Sequence, residues 1–394
     1  MTTRAGVGLS LLPDAAAAAR AAARQALERS GADGADWALL FATALHRPHY
    51  RDALTEARRV LGTERIAGCG AWGVLAGTEE VEGRPAVAAL AVRSDRIRAE
   101  TVFAPIEAER PGAAAGEIAR QAGAEAPAGL LVLFPDPFAA RPDEILEGLG
   151  RLAPGLEAVG GACSGSPSAE GTFQFCGRNV ATRSLTGLRL SGGLRRAVGV
   201  TQGCQPLGPV CRVTRGEGNV IVELDGRPAL EVLRARLPAA LRDTFPRLGA
   251  HLFLGWPPDP EREDIPPGEY LVRPLLGADP GRGALIAGAA VRVGQPLLLV
   301  VRDPQAARDD LKEMLVRIGP QLPGLRPAFA MYFNCAGRGT SLHGAPGIDT
   351  AYITGALGDL PLIGFFGNAE IAPMRGRNRV FTYTGVLVLV GEDA

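Results

Sequence analysis

Lysine is almost absent from this sequence. Of 42 basic residues only Lys312 is a lysine, and the rest are arginine. A Schiff-base enzyme or a phosphate-binding P-loop would have to be built on Lys312. The surrounding "DDLKEML" instead has the spacing of an amphipathic helix with the lysine on its solvated face. Cysteine is sparse and unpatterned: Cys69, Cys163, Cys176, Cys204, Cys211 and Cys335 form no C-x-x-C, and no histidine stands at zinc-ligand spacing from a pair of them. That excludes a disulfide framework and a structural zinc site. Net charge is missing too, with 42 basic against 42 acidic residues and no basic block, which excludes nucleic acid as the main partner. No apolar run reaches the ~20 residues of a membrane helix. The longest candidate, Leu285 to Val301, is broken by Gly288, Arg292, Gly294 and Pro296. The N-terminal "MTTRAGVGLSLLPD" has no apolar core or cleavage site of a secretory leader. The expectation is a soluble, cytoplasmic protein with no membrane contact.

What is present is a long chain, 394 residues with 46% hydrophobic content, enough for two or three domains at roughly 100–200 residues each. Gly68, Gly70 and Gly73 in "IAGCGAWG" match the G-x-G-x-x-G fingerprint of a dinucleotide-binding turn. That fingerprint needs a strand before it and a helix directly after. Downstream stand "AVAALAV" (86–92), "RSDR" and "IRAETVFA" (97–104), which read as a hairpin of two strands. The glycines therefore lie between strands, and the cofactor reading is rejected.

Internal repetition offers a better reading of them. Residues 36–70 and 129–163 each give a buried strand with Phe41 or Phe134, a polar loop, an amphipathic helix, and a second strand meeting a glycine turn at Gly68 or Gly160. The middle glycine becomes Ala162 in the second copy. A third related pattern runs from "RPAFAMYFNCAGRG" through "IDTAYITGALG" and "LPLIGFFGNAEIAP" to the closing "RVFTYTGVLVLVG". A weaker fourth lies between His251 and Val301. The expected fold is α/β with mixed α+β character: layered mixed β-sheets flanked by helices, in two domains built from related β-α-β repeats. The domains are expected at 1–225, with repeats about 36–105 and 129–190, and at 226–394. The division is placed at the Asp225-Gly226 turn, before a helix starting near Pro228. A proline- and acid-rich surface loop is expected at 255–270.

The densest polar cluster is Asn334, Cys335, Arg338, His343, Asp349, Asn368 and Glu370, gathered at strand ends and around the glycine turn Gly364 to Gly367. Adjacent strand ends are where layered α/β proteins bind ligands. Arg338 would take the carboxylate of an amino acid and Glu370 its ammonium. The competing reading is a buried Arg338–Glu370 or Arg338–Asp349 pair that holds two loops together. Cys163 and Ser164 in "GGACSGSP" lie on the equivalent N-terminal turn, whose backbone N–H groups suit an anion. Trp72, on the first copy, is a packing residue or lines a cleft. A Cys335 nucleophile with His343 as base is the enzymatic alternative, for which no orienting third group is evident. His46 and His49 in "ALHRPHY" are candidate axial ligands should haem be bound. No other cofactor and no metal is expected.

The ordered set "GLLVLFPDPF", "AVGGACSG", "GVTQGCQPLGPVCRVTRGEGNVIVELDGRPALEVL", "FNCAGRG" and "IDTAYITGALGDLPLIGFFGNAEIAP" resembles the FIST proteins, a FIST N domain followed by a FIST C domain. The resemblance covers about residues 30–390. It departs from the family at Ala369, where a glycine is usual. The resemblance implies a sensory module for a small polar ligand, an amino acid or related metabolite. It also implies a stand-alone module that signals through a protein partner, since other family members carry fused output domains. One branch of the family is described as haem-binding.

Overall fold

The computed structural model describes residues 3–107, 109–123, 129–165, 171–238, 251–258, 265 and 268–393. The described chain has mixed α+β character. It divides into a first unit of residues 1–200 and 311–394 and a second of residues 201–310.

The first unit is one pattern used three times. The first copy runs strand Arg4–Ser10, helix Ala15–Ser30, strand Trp37–Thr43, helix Tyr50–Leu61, strand Ile66–Ala71, hairpin strands Gly73–Ala76 and Glu79–Glu82, and strand Val87–Arg93. The second runs Ile97–Pro105, helix Pro111–Ala122, Leu130–Pro135, helix Pro142–Leu152, Glu157–Ala162, hairpin strands Gln174–Cys176 and Asn179–Ala181, and Ser184–Gly192. The third opens with Arg195–Gln202 and resumes, after the second unit has intervened, with helix Pro304–Ile318 and strand Leu325–Cys335. Helices Gly339–His343 and Ile348–Leu357 follow, then strand Leu362–Gly367, hairpin strands Ala369–Met374 and Arg377–Phe381, and strand Thr384–Asp393. The third copy, expected from residue 326, thus starts much earlier in the chain.

Local chemistry explains the elements. In "AAAAARAAARQALERS" the best helix former recurs, and Ala15, Ala18, Ala19, Ala22, Ala23 and Ala26 make one buried stripe at helical spacing. Asp14 caps the start by accepting the Ala17 N–H, and Gly31 at φ 65° ends the helix. Helix Pro142–Leu152 starts on its proline, carries Asp143 and Glu144 in its first turn, and buries Ile145, Leu146 and Leu149.

Each copy pairs its two central strands in parallel: Phe41 beside Cys69, Leu133 beside Gly160, Phe333 beside Phe365. These pairs lie at the centres of three six-stranded sheets. The hairpins do not stay in the sheet of their own copy. Gly73–Ala76 of the first copy pairs with Leu362–Gly367 of the third. Ala369–Met374 of the third pairs with Glu157–Ala162 of the second. Gln174–Cys176 of the second pairs with Ile66–Ala71 of the first. The exchange is cyclic. Phe41, Phe134, Phe333 and Phe365 meet between the sheets, with Phe41 5.4 Å from Phe134 and 4.8 Å from Phe365 between ring centroids. Phe134 and Phe333 are 6.1 Å apart, inside the range for tilted aromatic contacts.

The glycine of "IAGCG" now has a reason. A Cβ on Gly68 would sit 1.8 Å from the Leu40 carbonyl oxygen; on Gly160, 2.1 Å from that of Leu133; on Gly364, 1.7 Å from that of Tyr332. The same close approach of parallel backbones recurs in each copy, and only glycine fits it.

Two expectations are corrected. Residues 86–92 and 97–104 are strands but not a hairpin. Val87–Arg93 already has Arg4–Ser10 on one edge and Trp37–Thr43 on the other, so Ile97–Pro105 pairs with Ser184–Gly192 in another sheet. The region from His251 to Val301 is no fourth copy. Leu252–Trp256 pairs antiparallel with both Leu271–Asp279 and Pro296–Arg302.

The second unit closes on itself. Pro296–Arg302 pairs with Cys211–Glu217 on one edge and Leu252–Trp256 on the other. Val220–Leu224, Ala284–Ala287 and Leu271–Asp279 complete the antiparallel ring. Ile221, Leu224, Leu230, Leu233, Leu254 and Leu299 fill it. Asp225 and Gly226, at φ 51° and 75°, turn a hairpin inside this unit, and helix Ala229–Arg236 starts just after Pro228. Half of the 255–270 loop, residues 259–264, 266 and 267, lies outside the described residues.

Candidate functional site

The three parallel strand pairs of the first unit end around one cavity of about 810 Å³. Trp72, Ser164 and Asn368, each four residues past the glycine of its copy, all line it. The copies have diverged at this position from an indole to a hydroxyl to an amide. Glu82, Phe138, Ala336, Thr340 and Ser341 complete much of the wall. Ser164 ties the copies together: its hydroxyl accepts the Trp72 N–H at 2.7 Å and donates to the Phe366 carbonyl. The Asn368 N–H donates to the Ala162 carbonyl at 2.9 Å. Asp136 sets Phe138 by accepting its N–H at 2.9 Å, leaving the ring 67% exposed.

The exchanged hairpin of the first copy carries two acidic side chains into the third. Glu82 accepts the Thr340 N–H at 2.8 Å, the Thr340 hydroxyl at 3.0 Å and the Trp72 indole N–H at 3.2 Å. Glu80 accepts the Gly347 and Thr350 N–H groups at 2.9 and 3.0 Å, at the start of helix Ile348–Leu357. Carboxylates placed there complement the helix dipole.

Behind this wall lies a buried polar node centred on Asp349. Its Oδ2 accepts from the Tyr332 hydroxyl at 2.8 Å, Asn334 Nδ2 at 3.1 Å and Arg338 Nε at 3.1 Å. Its Oδ1 meets Arg338 Nη2 at 3.3 Å and His343 Nε2 at 3.1 Å. Burial alone would raise the Asp349 carboxyl, but Arg338 and His343 outweigh it and hold the group well below the usual carboxylate range. The same neighbourhood pushes the Tyr332 hydroxyl up, first by burial and then by the Asp349 charge.

Glu370 sits apart from that node. Its Oε2 accepts the Thr384 hydroxyl at 2.7 Å and the Thr384 N–H at 3.2 Å, while Oε1 has no hydrogen-bond partner. Burial pushes its carboxyl up to about 8, against hydrogen bonds from Thr384 and the charge of Arg338. Cys335 is also buried; burial and the nearby Glu370 push its thiol well up, so it is held neutral.

The raised Glu370 value has a measurable sign. The folded state keeps the proton to about 8, whereas an unfolded chain releases it near 4.5. Stability therefore falls as pH rises through that window, by a few kcal/mol at about 1.4 kcal/mol per unit. Glu370→Gln carries no titrating group and is expected to flatten this part of the profile. Urea midpoints of both proteins at pH 5, 6.5 and 8 check it, and parallel curves would sink the assignment.

Of the residues expected from the sequence, Ser164 and Asn368 line the cavity. Asn334, Arg338 and Asp349 are fully buried behind it, and His343 and Asp349 are in direct contact. The Arg338 fork is engaged by Asp349, the pairing weighed against ligand contact in the sequence. Gly364 faces the Tyr332 carbonyl, and Gly367 has the Ala162 carbonyl oxygen 2.9 Å from where a Cβ would be. Cys163 is buried with its thiol toward the Phe134 carbonyl and beside Cys69. His343 turns Nε2 to Asp349 and its Nδ1 has no hydrogen-bond partner, so no hydrogen bond joins the imidazole to the Cys335 thiol. His46 is buried at 1% exposure, and His49 is exposed beside Asp52 at 3.2 Å. Sequence reading missed Glu82, Phe138, Thr340 and Ser341. Phe138 carried a signal, an apolar ring in the polar "PDPF" loop. Glu82 carried none, because its place depends on the hairpin exchange.

No helix among the described residues is long and apolar enough to cross a membrane. The chain is similar to the uncharacterized protein Rv0628c of Mycobacterium tuberculosis (strain ATCC 25618 / H37Rv), 35% identical over 98% of this chain and 99% of that protein. It is similar to the uncharacterized protein Mb0898c of Mycobacterium bovis (strain ATCC BAA-935 / AF2122/97), 33% identical over 99% of each. A crystal structure described as "cyanuic acid hydrolase from A. caulinodans" aligns over 100% of both chains, but at 8% identity and a TM-score of 0.35 it bears no weight. Residues 36–227 match the FIST N domain and residues 229–373 the FIST C domain. The chain belongs to the FIST family, a FIST N domain followed by a FIST C domain over nearly its whole length.

Proposed function

We propose that this protein is a sensor that binds a small polar metabolite, an amino acid or a relative of one, in the cavity at the three strand ends, and signals through a protein partner. FIST domains are generally signal-transduction sensor domains, which sets the class. The observation that carries the ligand reading is the convergence of Trp72, Ser164 and Asn368, from three different copies, on one cavity of about 810 Å³. A volume of that size suits a small molecule, with an apolar lining and a few placed polar groups.

In this reading Trp72, Ser164, Asn368, Thr340 and Ser341 touch the ligand. Asn334, Cys335, Arg338, His343, Asp349 and Glu370 act from behind, holding the Cys335–Ser341 segment in place. Gly364 and Gly367 let the strands approach closely, and Cys163 packs beneath Ser164. Because Ser164 bridges to Trp72 and Phe366, a ligand that displaces its hydrogen bonds changes how the copies are joined. Such a ligand shifts the conformational equilibrium only by its difference in affinity for the two states.

A thermal-shift screen of amino acids and related metabolites tests this. A ligand at 100 times its Kd stabilises the wild type by about 2.7 kcal/mol. Ser341→Trp, which fills the cavity from an exposed position, is expected to abolish the shift while melting like the unliganded wild type. If no compound stabilises the wild type, or Ser341→Trp responds equally, the ligand reading is wrong.

A further inference from the structure

At one edge of the second sheet, Arg377–Phe381 is the outermost strand. Helix Pro142–Leu152 packs beside it, and between the end of that helix and the strand lies a groove of about 710 Å³. A second hollow of about 490 Å³ shares Glu157 and Gly376 with the first, so the two are neighbours. Arg151, Arg195, Arg196, Arg375, Arg377 and Arg379 line the pair. The acidic lining residues are Glu147 and Glu157, and Glu157 is already bonded to Arg196 at 2.6 Å. Arg195 also reaches Asp393 at 3.5 Å. Six arginines against two glutamates thus line the pair, on a chain whose net charge is zero. Arg151 and Arg377 are exposed.

We propose that this groove docks an acidic, extended segment of a partner protein, laid along the Arg377–Phe381 strand. Three features select that occupant. The strand is an outer one, and an outer edge offers backbone N–H and C=O groups to an added strand. The guanidinium fork matches a carboxylate with two parallel hydrogen bonds, and several forks in a row match several carboxylates. The two neighbouring hollows, about 710 and 490 Å³, offer more room than a single small anion needs. The site is separate from the ligand cavity, whose lining residues it does not share.

The test is fluorescence anisotropy on the full chain with a labelled decapeptide of alternating glutamate and threonine. Binding is expected in about 50 mM salt and is expected to weaken as salt rises and screening shortens. The Arg151→Glu, Arg377→Glu double variant is expected to bind about tenfold more weakly. Arg24→Glu, an exposed reversal on helix Ala15–Ser30, is expected to bind like wild type. Should the double reversal fail to fold, Arg151→Gln with Arg377→Gln is used, with a smaller loss expected. A peptide with alternate backbone nitrogens methylated is expected to bind more weakly than its parent. The proposal is overturned if the acidic peptide does not bind, if the double variant binds it like wild type, or if a lysine-for-glutamate peptide binds as well. Tighter binding of oligothymidylate than of the acidic peptide overturns it in favour of a nucleic acid. Indifference to backbone methylation overturns the placement along the strand.

Discussion

Gly364→Ala is expected to lower the stability of the first unit by more than about 4 kcal/mol, beyond the ordinary range for a single substitution. The added methyl would stand 1.7 Å from the Tyr332 carbonyl oxygen. The obstacle is backbone, not the end of a flexible side chain. Both strands are also pinned by an uninterrupted parallel register from Ala330 beside Leu362 to Cys335 beside Gly367. Relief would have to part the centre of the sheet. Urea unfolding gives the loss, with Gly355→Ala as the contrast. Gly355 lies in helix Ile348–Leu357 with open space around it. Alanine there is expected to add about 0.5–1 kcal/mol through helix propensity. Gly68→Ala and Gly160→Ala should behave like Gly364→Ala. A loss below about 1 kcal/mol at all three would show that the copies do not depend on this approach.

Asp349→Ala is expected to cost about 3–5 kcal/mol, the range for removing one member of a buried ion pair. Arg338 would keep its charge with no solvent exposure and without the carboxylate that now takes two of its nitrogens. Tyr332, Asn334 and His343 would each lose a partner as well. A second substitution separates charge burial from packing. Arg338→Met on top of Asp349→Leu is expected to recover much of the loss, since apolar replacements of a buried pair are often close to neutral. The wild-type contribution has a pH signature. The Asp349 carboxyl is held below its ordinary value near 3.8, so its stabilisation is present above that pH and fades as pH falls further. Denaturation midpoints at pH 7 and pH 3 measure both effects. A loss under about 1 kcal/mol for Asp349→Ala would remove Asp349 as the organiser of the node.

The repeat was legible because its marks are local. Buried strands carrying phenylalanine, and the glycine that recurs after each helix, can be read within about thirty-five residues of each copy, although that glycine lies within a strand and not in the expected turn. Three properties were not legible. The partner of a strand depends on which edges are free, so residues 86–104 looked like a hairpin although Val87–Arg93 has both edges occupied. Residues 203–303 separate Arg195–Gln202 from the rest of the third copy, hiding where that copy starts. The polar cluster was found as a set, but its division was not. Whether Arg338 faces a ligand or a carboxylate turns on the path of the loop from Ala336 to Ile348, and no periodicity encodes that path. Glu82 and Thr340 lie 258 residues apart and meet only through the hairpin exchange.

That exchange has a consequence for any fragment of the chain. One copy expressed alone, such as residues 3–93, would have a second parallel strand with one bare edge and a hairpin with no strand to join. Closing both within a single copy would require its hairpin to fold back onto its own sheet, which none of the three does. The arrangement closes with no loose ends when three such fragments come together, each lending its hairpin to the next. The single chain is thus a covalently tethered trimer by construction, and the cavity lined by Trp72, Ser164 and Asn368 lies where its three parts meet.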